Sequence, residues 1–179
     1  VFISCDHSKQ SEQKSEIQLL SEKIAQDPND IDLLYDRVAY NKAKHNLESV
    51  LFDLKEVIRL DSLNSNNHHN IAKVYFDLSK GKHSDPKYPS LVKYHLEKSI
   101  QLNVNNKDSH ALMGELLLAY NKYKDAIKSF NKSLTIDYYQ EETHMLMGYA
   151  FKQLDLTDNA INCFRNSVNI NPEFLEAHM

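Results

Sequence analysis

Apolar residues recur along this chain in pairs of helical stretches divided by short polar breaks. In residues 107–140 the first stretch holds Leu112, Leu116, Leu117 and Tyr120 and the second Ala126, Ile127, Phe130, Leu134 and Ile136, split by Asn121-Lys122-Tyr123-Lys124-Asp125. A spacing of three and four places each set on one helical face, so the pair reads as a helical hairpin. A shift of 34 residues lays His110 on His144, Met113 on Met147, Gly114 on Gly148, Ala126 on Ala160, Ile127 on Ile161, Phe130 on Phe164, Ser133 on Ser167 and Ile136 on Ile170. A fixed period of this length marks an array of repeats. Residues 31–64 fit the same frame, with Val50, Leu54, Val57, Ile58 and Leu60 on the second helix, although their first half matches more loosely. Residues 65–106 fit when eight extra residues follow the first helix; the segment 80–89, Lys-Gly-Lys-His-Ser-Asp-Pro-Lys-Tyr-Pro, has turn chemistry and predicts an exposed loop. Small residues stand where helix axes must approach: Gly114 and Gly148, Ala126 and Ala160, Ser133 and Ser167.

These residues resemble the tetratricopeptide repeat (TPR) pattern of a large residue, Leu-Gly, an aromatic, Ala, an aromatic, Ala and Pro. Residues 141–174 carry it as Met147-Gly148, Phe151, Ala160, Phe164, Ser167 and Pro172. Residues 107–140 carry Met113-Gly114, Leu117, Ala126, Phe130 and Ser133, with Tyr138 in place of Pro. Residues 65–106 keep Ile71-Ala72, Tyr75, Leu96 and Ser99, and their long connection is also similar to Sel1-like repeats; residues 31–64 depart most, with Arg37-Val38 and Asn41. The resemblance implies an all-α, right-handed TPR solenoid of stacked antiparallel hairpins, with ten or so helices. It covers four units, 31–64, 65–106, 107–140 and 141–174.

Outside the units, residues 12–30 read as one further helix, with Ile17, Leu20 and Ile24 on one face and Asp27-Pro28 ending it, an N-terminal cap for the array. Residues 175–179 read as the start of another unit, so the natural chain is expected to continue. Residues 1–11 read as a tether behind a leader: the apolar Val1-Phe2-Ile3 running into Ser4-Cys5 resembles the end of a bacterial lipoprotein signal, with Phe2 a departure. That resemblance implies acylation at Cys5 and a place in the bacterial envelope, held to the membrane by lipid; the alternative is a cytoplasmic regulatory segment of a larger enzyme or transcription regulator.

Composition narrows the functional classes. Three glycines and four prolines leave too little for phosphate-binding loops or a nucleophile elbow. A net charge of −4 gives no electrostatic footprint for nucleic acid. Cys5 and Cys163 lie far apart, which argues against a disulfide framework or a zinc site. Nine histidines raise the question of metal, yet His68, His110, His144 and His178 recur at the fourth place of successive units. Packed helices hold such copies roughly 10 Å apart, too far to share one zinc ion, so packing is their expected role. Carboxylate pairs such as Glu141-Glu142 suit helix starts. No catalytic constellation, metal site or cofactor site is nominated, and the chain is read as non-enzymatic.

The resemblance also implies a concave surface lined by the second, fifth, ninth, twelfth and thirteenth residues of each unit. Its candidate partner-binding residues here are Tyr35, His69, Lys73, Phe76, Ala111, Glu115, Leu118, Met145, Tyr149 and Lys152. The set of Lys, Asn and Arg by which some TPR domains clamp a chaperone's terminal carboxylate is missing. A protein or peptide segment with apolar anchors suits the mixture better. Phe76, Leu118, Met145 and Tyr149 are the expected solvent-facing anchors, with Met145 and Tyr149 central because they share a helix face.

Overall fold

The computed structural model describes residues 14–81 and 84–174, and among these the regular structure is helical throughout. A leading helix α1 (Glu16–Gln26) is followed by four hairpins: α2 (Ile31–Ala43) with α3 (Leu47–Leu60), α4 (Ser65–Ser79) with α5 (Tyr88–Leu102), α6 (Lys107–Ala119) with α7 (Tyr123–Ile136), and α8 (Glu141–Lys152) with α9 (Thr157–Ile170). A single 3₁₀ turn spans Pro172–Phe174. Nine α-helices stand in the described residues, against the ten or so expected. Residues 1–13, with Cys5, and residues 175–179 lie outside the described residues.

The boundaries follow from local chemistry. Asp30, Asn46, Asn64 and Asn106 precede α2, α3, α4 and α6, and each side chain accepts a hydrogen bond from a first-turn amide. Such caps satisfy donors that a helix start otherwise leaves open. Three of the hairpin turns pass through a left-handed residue, His45, Asn121 and Asp155, at φ of 54°, 57° and 59°. All three are the fifteenth residue of their unit. In the second unit that place is Ser79, still helical, and the connection runs on through 80–87. Tyr88 and Pro89, expected in the loop, instead form the first turn of α5, where proline's missing N–H costs nothing.

Each helix packs on the next in sequence, and α4, α6 and α8 also meet directly. The core runs along the stack as a chain of clusters rather than one centre. A Cβ placed on Gly114 would lie 2.5 Å from Phe130, and one on Gly148 would lie 2.7 Å from Phe164. Those glycines therefore make room for rings. In the first two units the same partners are Val38 with Leu54 and Ala72 with Leu96, all buried. The looser first unit also carries a buried ion pair: Arg37 Nη2 lies 2.6 Å from Asp53 Oδ1, and Arg37 Nε donates to Asp53 Oδ2 at 3.0 Å.

The recurrent histidines lace successive units together. His68, His110 and His144 place Nε2 at 3.1, 2.9 and 3.0 Å from the carbonyl oxygens of Ser62, Val104 and Tyr138. A carbonyl only accepts, so each ring carries its proton on Nε2. All three are also buried, so the packing role expected of them is joined by a hydrogen bond that ties the turn between units to the next helix.

Candidate functional site: the concave face

Because α4, α6 and α8 are the first helices of consecutive hairpins and stand side by side, their outer faces form one wall. A cavity of about 670 Å³ opens on it. Its floor is apolar, from Phe76 on α4, Ala111 and Leu112 on α6 and Leu146 on α8, and its rim is charged. Lys73, Asp77 and Lys80 come from the α4 side, Asp108 and Glu115 from α6, and Glu141 and Glu142 from the start of α8. A second cavity of about 530 Å³ lies beyond Phe76 and Lys80, walled by Ser84, Asp85 and Pro86 of the long connection, by Pro89 in the first turn of α5 and by Leu116, Ala119 and Tyr120.

Lys80 stands between the two. Its Nζ lies 4.2 Å above the Phe76 ring centroid, 3.3 Å from Glu115 Oε1 and 3.8 Å from Asp77 Oδ1. Burial pushes the Glu115 carboxyl above its ordinary value; Lys80 opposes this, while Glu142 and Asp77 add to it. On the other flank, burial and the nearby Lys73 push the Lys42 ammonium down, with Asp77 acting against them. The face thus runs from cationic on α2 and α4 to anionic on α6 and α8.

His69 lines the cavity with Nδ1 3.1 Å from Ser109 Oγ, and Asp108 is beside it. Burial lowers its pKa, with Asp108 raising it and Lys73 and Lys42 lowering it further, so the ring is neutral near pH 7. This is not a nucleophile with its base. Ser109 is fully buried and its Oγ is also 2.7 Å from Ser99 Oγ. It belongs to a network in which Asn106 Nδ2 donates to Ser65 Oγ at 2.7 Å and Ser99 Oγ donates to the Ser65 carbonyl at 2.9 Å. Such a network fixes the joint between the second and third units.

Of the ten candidate residues, five line the first cavity: His69, Lys73, Phe76, Ala111 and Glu115. Tyr35, Leu118, Met145, Tyr149 and Lys152 lie outside it. Two of the expected solvent-facing anchors are in fact buried, Phe76 at 4% exposure and Met145 at 7%. Leu118 is half-buried against the Phe130 cluster. Tyr35 donates to Asn67 Oδ1 at 2.5 Å, across the joint between the first two units. Tyr149 is 41% exposed but turns toward α9, with its ring edge-on to Phe164 at 5.3 Å. Its equivalent in the third unit, Glu115, faces the cavity because α8 stands beyond α6 to enclose it. Ten further residues line it that are not among those candidates, Lys80, Tyr139, Gln140, Thr143 and Leu146 among them. Lys80 falls in the inserted segment, and Tyr139 and Gln140 fall in a turn between units, so the five recurrent helix positions could not reach them.

Among the described residues no cluster of three or more His, Cys, Asp or Glu side chains is arranged to hold a metal ion. Cys163 is buried, which pushes its thiol pKa up and keeps it protonated. No helix among these residues is long and apolar enough to cross a membrane.

Residues 141–174 match the tetratricopeptide repeat model. No curated protein matches the chain in sequence. Its fold is similar to the crystal structure of MamA, at a TM-score of 0.74 and 16% identity over 89% of each chain. It is also similar to TTC0263, a thermophilic TPR protein in Thermus thermophilus, at a TM-score of 0.71 and 13% identity, covering 89% of this chain and 84% of that one. A third similar structure is YrrB, a TPR protein with an unusual peptide-binding site, at a TM-score of 0.68 and 14% identity, covering 89% and 78%. Residues 141–174 are thus a tetratricopeptide repeat, and the described residues together have the all-α solenoid fold of these TPR structures.

Proposed function

We propose that this chain is a non-enzymatic scaffold that holds a segment of another protein against α4, α6 and α8. The observation that carries this reading is the open cavity on the concave face, with its apolar floor and charged rim. A preformed wall of stacked helices loses little conformational freedom when a segment settles on it, so modest contacts suffice for binding. YrrB, which shares the fold, has a peptide-binding site, and that supports the same use of the scaffold here. The buried Ser109 gives a substrate no nucleophile to reach. Filling the cavity tests the reading. Ala111→Trp, on the half-buried floor of α6, should leave the helical circular dichroism intact and reduce capture of partner protein from host extract at least tenfold, a loss in the range of an interface anchor. Undiminished capture would move binding away from this face.

We further propose that Cys5 is acylated and holds the solenoid at a bacterial membrane, a reading supported by the apolar run into Ser4-Cys5 and the polar stretch Asp6–Ser11 after it. Expressed with its native leader, the protein should partition into detergent, and Cys5→Ala should return it to the aqueous phase. A wild-type protein found in the aqueous phase would remove this part of the proposal.

A further inference from the structure

Around Lys80 the chain has built a cation site and filled it with its own side chain. An aromatic face and two carboxylates surround one ammonium group, an arrangement that stabilises positive charge from three sides. The site is held loosely, because the Lys80 side chain is 56% exposed and sits at the end of α4, free to swing into solvent. Negative charge also remains in excess. The cavity lining holds five carboxylates, Asp77, Asp108, Glu115, Glu141 and Glu142, against the ammonium groups of Lys73 and Lys80, with His69 neutral. Burial pushes the Glu115 carboxyl up, and Glu142 and Asp77 add to that push as part of the excess. Beneath the charges lies an apolar floor, and beyond Phe76 lies the compartment under Pro86 and Tyr120.

We infer that the segment docking on the concave face is basic: it inserts a lysine or arginine beside Glu115 and Glu142, displaces Lys80, and lays a neighbouring apolar side chain past Phe76 into the second compartment. This rests on the groove reading above. Lysine and arginine suit the geometry because their methylene stems can cover an apolar floor while the charged end meets the rim. An acidic segment, or a free C-terminal carboxylate, would meet five like charges here. Lys80 is then an internal competitor, so its removal strengthens binding although it removes an ion pair from the free protein.

The test uses a random dodecapeptide library displayed on phage, selected on the whole chain, with recovered sequences resynthesised and titrated by fluorescence anisotropy. Recovered peptides should carry Lys or Arg next to an apolar residue. Their affinity should fall about tenfold in Glu115→Gln, fall further in Glu115→Gln/Glu142→Gln, weaken with added salt, and rise several-fold in Lys80→Gln. Glu142→Gln, at an exposed residue, serves alone if the Glu115 variant loses helicity. Peptides without a basic residue, or affinities unchanged by the Glu→Gln variants, would overturn the charge preference. The groove reading would survive that result if Ala111→Trp still abolished binding. Recovery of no peptide, or binding indifferent to Ala111→Trp, would overturn both.

Discussion

The first and fourth hairpins share a frame but fill it with different chemistry. At the eighth and twenty-fourth places the first has Val38 and Leu54, while the fourth has Gly148 and Phe164. At the seventh and twenty-third it has the ion pair Arg37–Asp53, where the fourth has Met147 and the buried Cys163. What recurs is therefore a close-fitting partnership between two helices, not the residue or even the polarity at either place. That is why the first unit resembles the repeat least while packing as closely: Val38 is 3% exposed and Leu54 is wholly buried.

The sharpest way to break this comparison is at the ion pair. Asp53→Ala should destabilise the protein by about 3 kcal/mol, because Arg37 keeps its charge in a site where only 17% of its side chain is exposed. The double replacement Arg37→Met/Asp53→Cys, which installs the fourth hairpin's partners in the first, should recover most of that loss. Urea midpoints followed by circular dichroism would decide it, and a double variant as weak as the single would show that the two hairpins are not interchangeable. Next in size is the glycine–ring partnership. Gly114→Ala should cost roughly 1–3 kcal/mol by overpacking against Phe130, which is fully buried and cannot retreat. Adding Phe130→Leu recreates the Ala72–Leu96 pair of the second unit and should offset part of that cost. If thermal melts show the double variant to be no better than the sum of the singles, volume exchange is the wrong account.

The smallest effect separates the second hairpin, whose twenty-third residue is His95. Its Nδ1 lies 3.1 Å from His68 Nδ1, and because His68 must donate from Nε2, His95 supplies the proton between them. Burial, with His68 adding to it, pushes the His95 pKa down to about 4. A histidine whose pKa is lower folded than unfolded contributes stability that is whole above the unfolded value of about 6.5 and lost as pH falls toward 4. Stability should therefore fall between pH 7 and pH 4.5 by on the order of 1 kcal/mol for this part-exposed ring, read as a lower melting temperature. His95→Gln should flatten that slope, and an unchanged slope would place the titration elsewhere.

The helices, the glycine crossings and the register were legible because each rests on periodic apolar residues within one unit. Lys80 and Tyr139 were not, since an insertion and a turn have no place in a 34-residue frame. Phe76 and Met145 were misread as exposed because a groove position says which way a helix faces, not how closely the next helix covers it. Arg37 looked like a defect in the first unit until Asp53, sixteen residues on, stood beside it.

The second hairpin differs from the others at one more place, the reversal between its helices. Elsewhere that reversal is confined to 44–46, 120–122 and 153–156 and passes through a left-handed residue; here it runs through 80–87, and its described residues include none. Closing the longer connection costs only about 1 kcal/mol more, since loop entropy grows with the logarithm of length. In return the added residues wall a compartment beside the groove without altering a core partnership. A solenoid can thus acquire a new recognition surface by lengthening a turn, and this array has a natural point for such grafting at each of its three tight reversals.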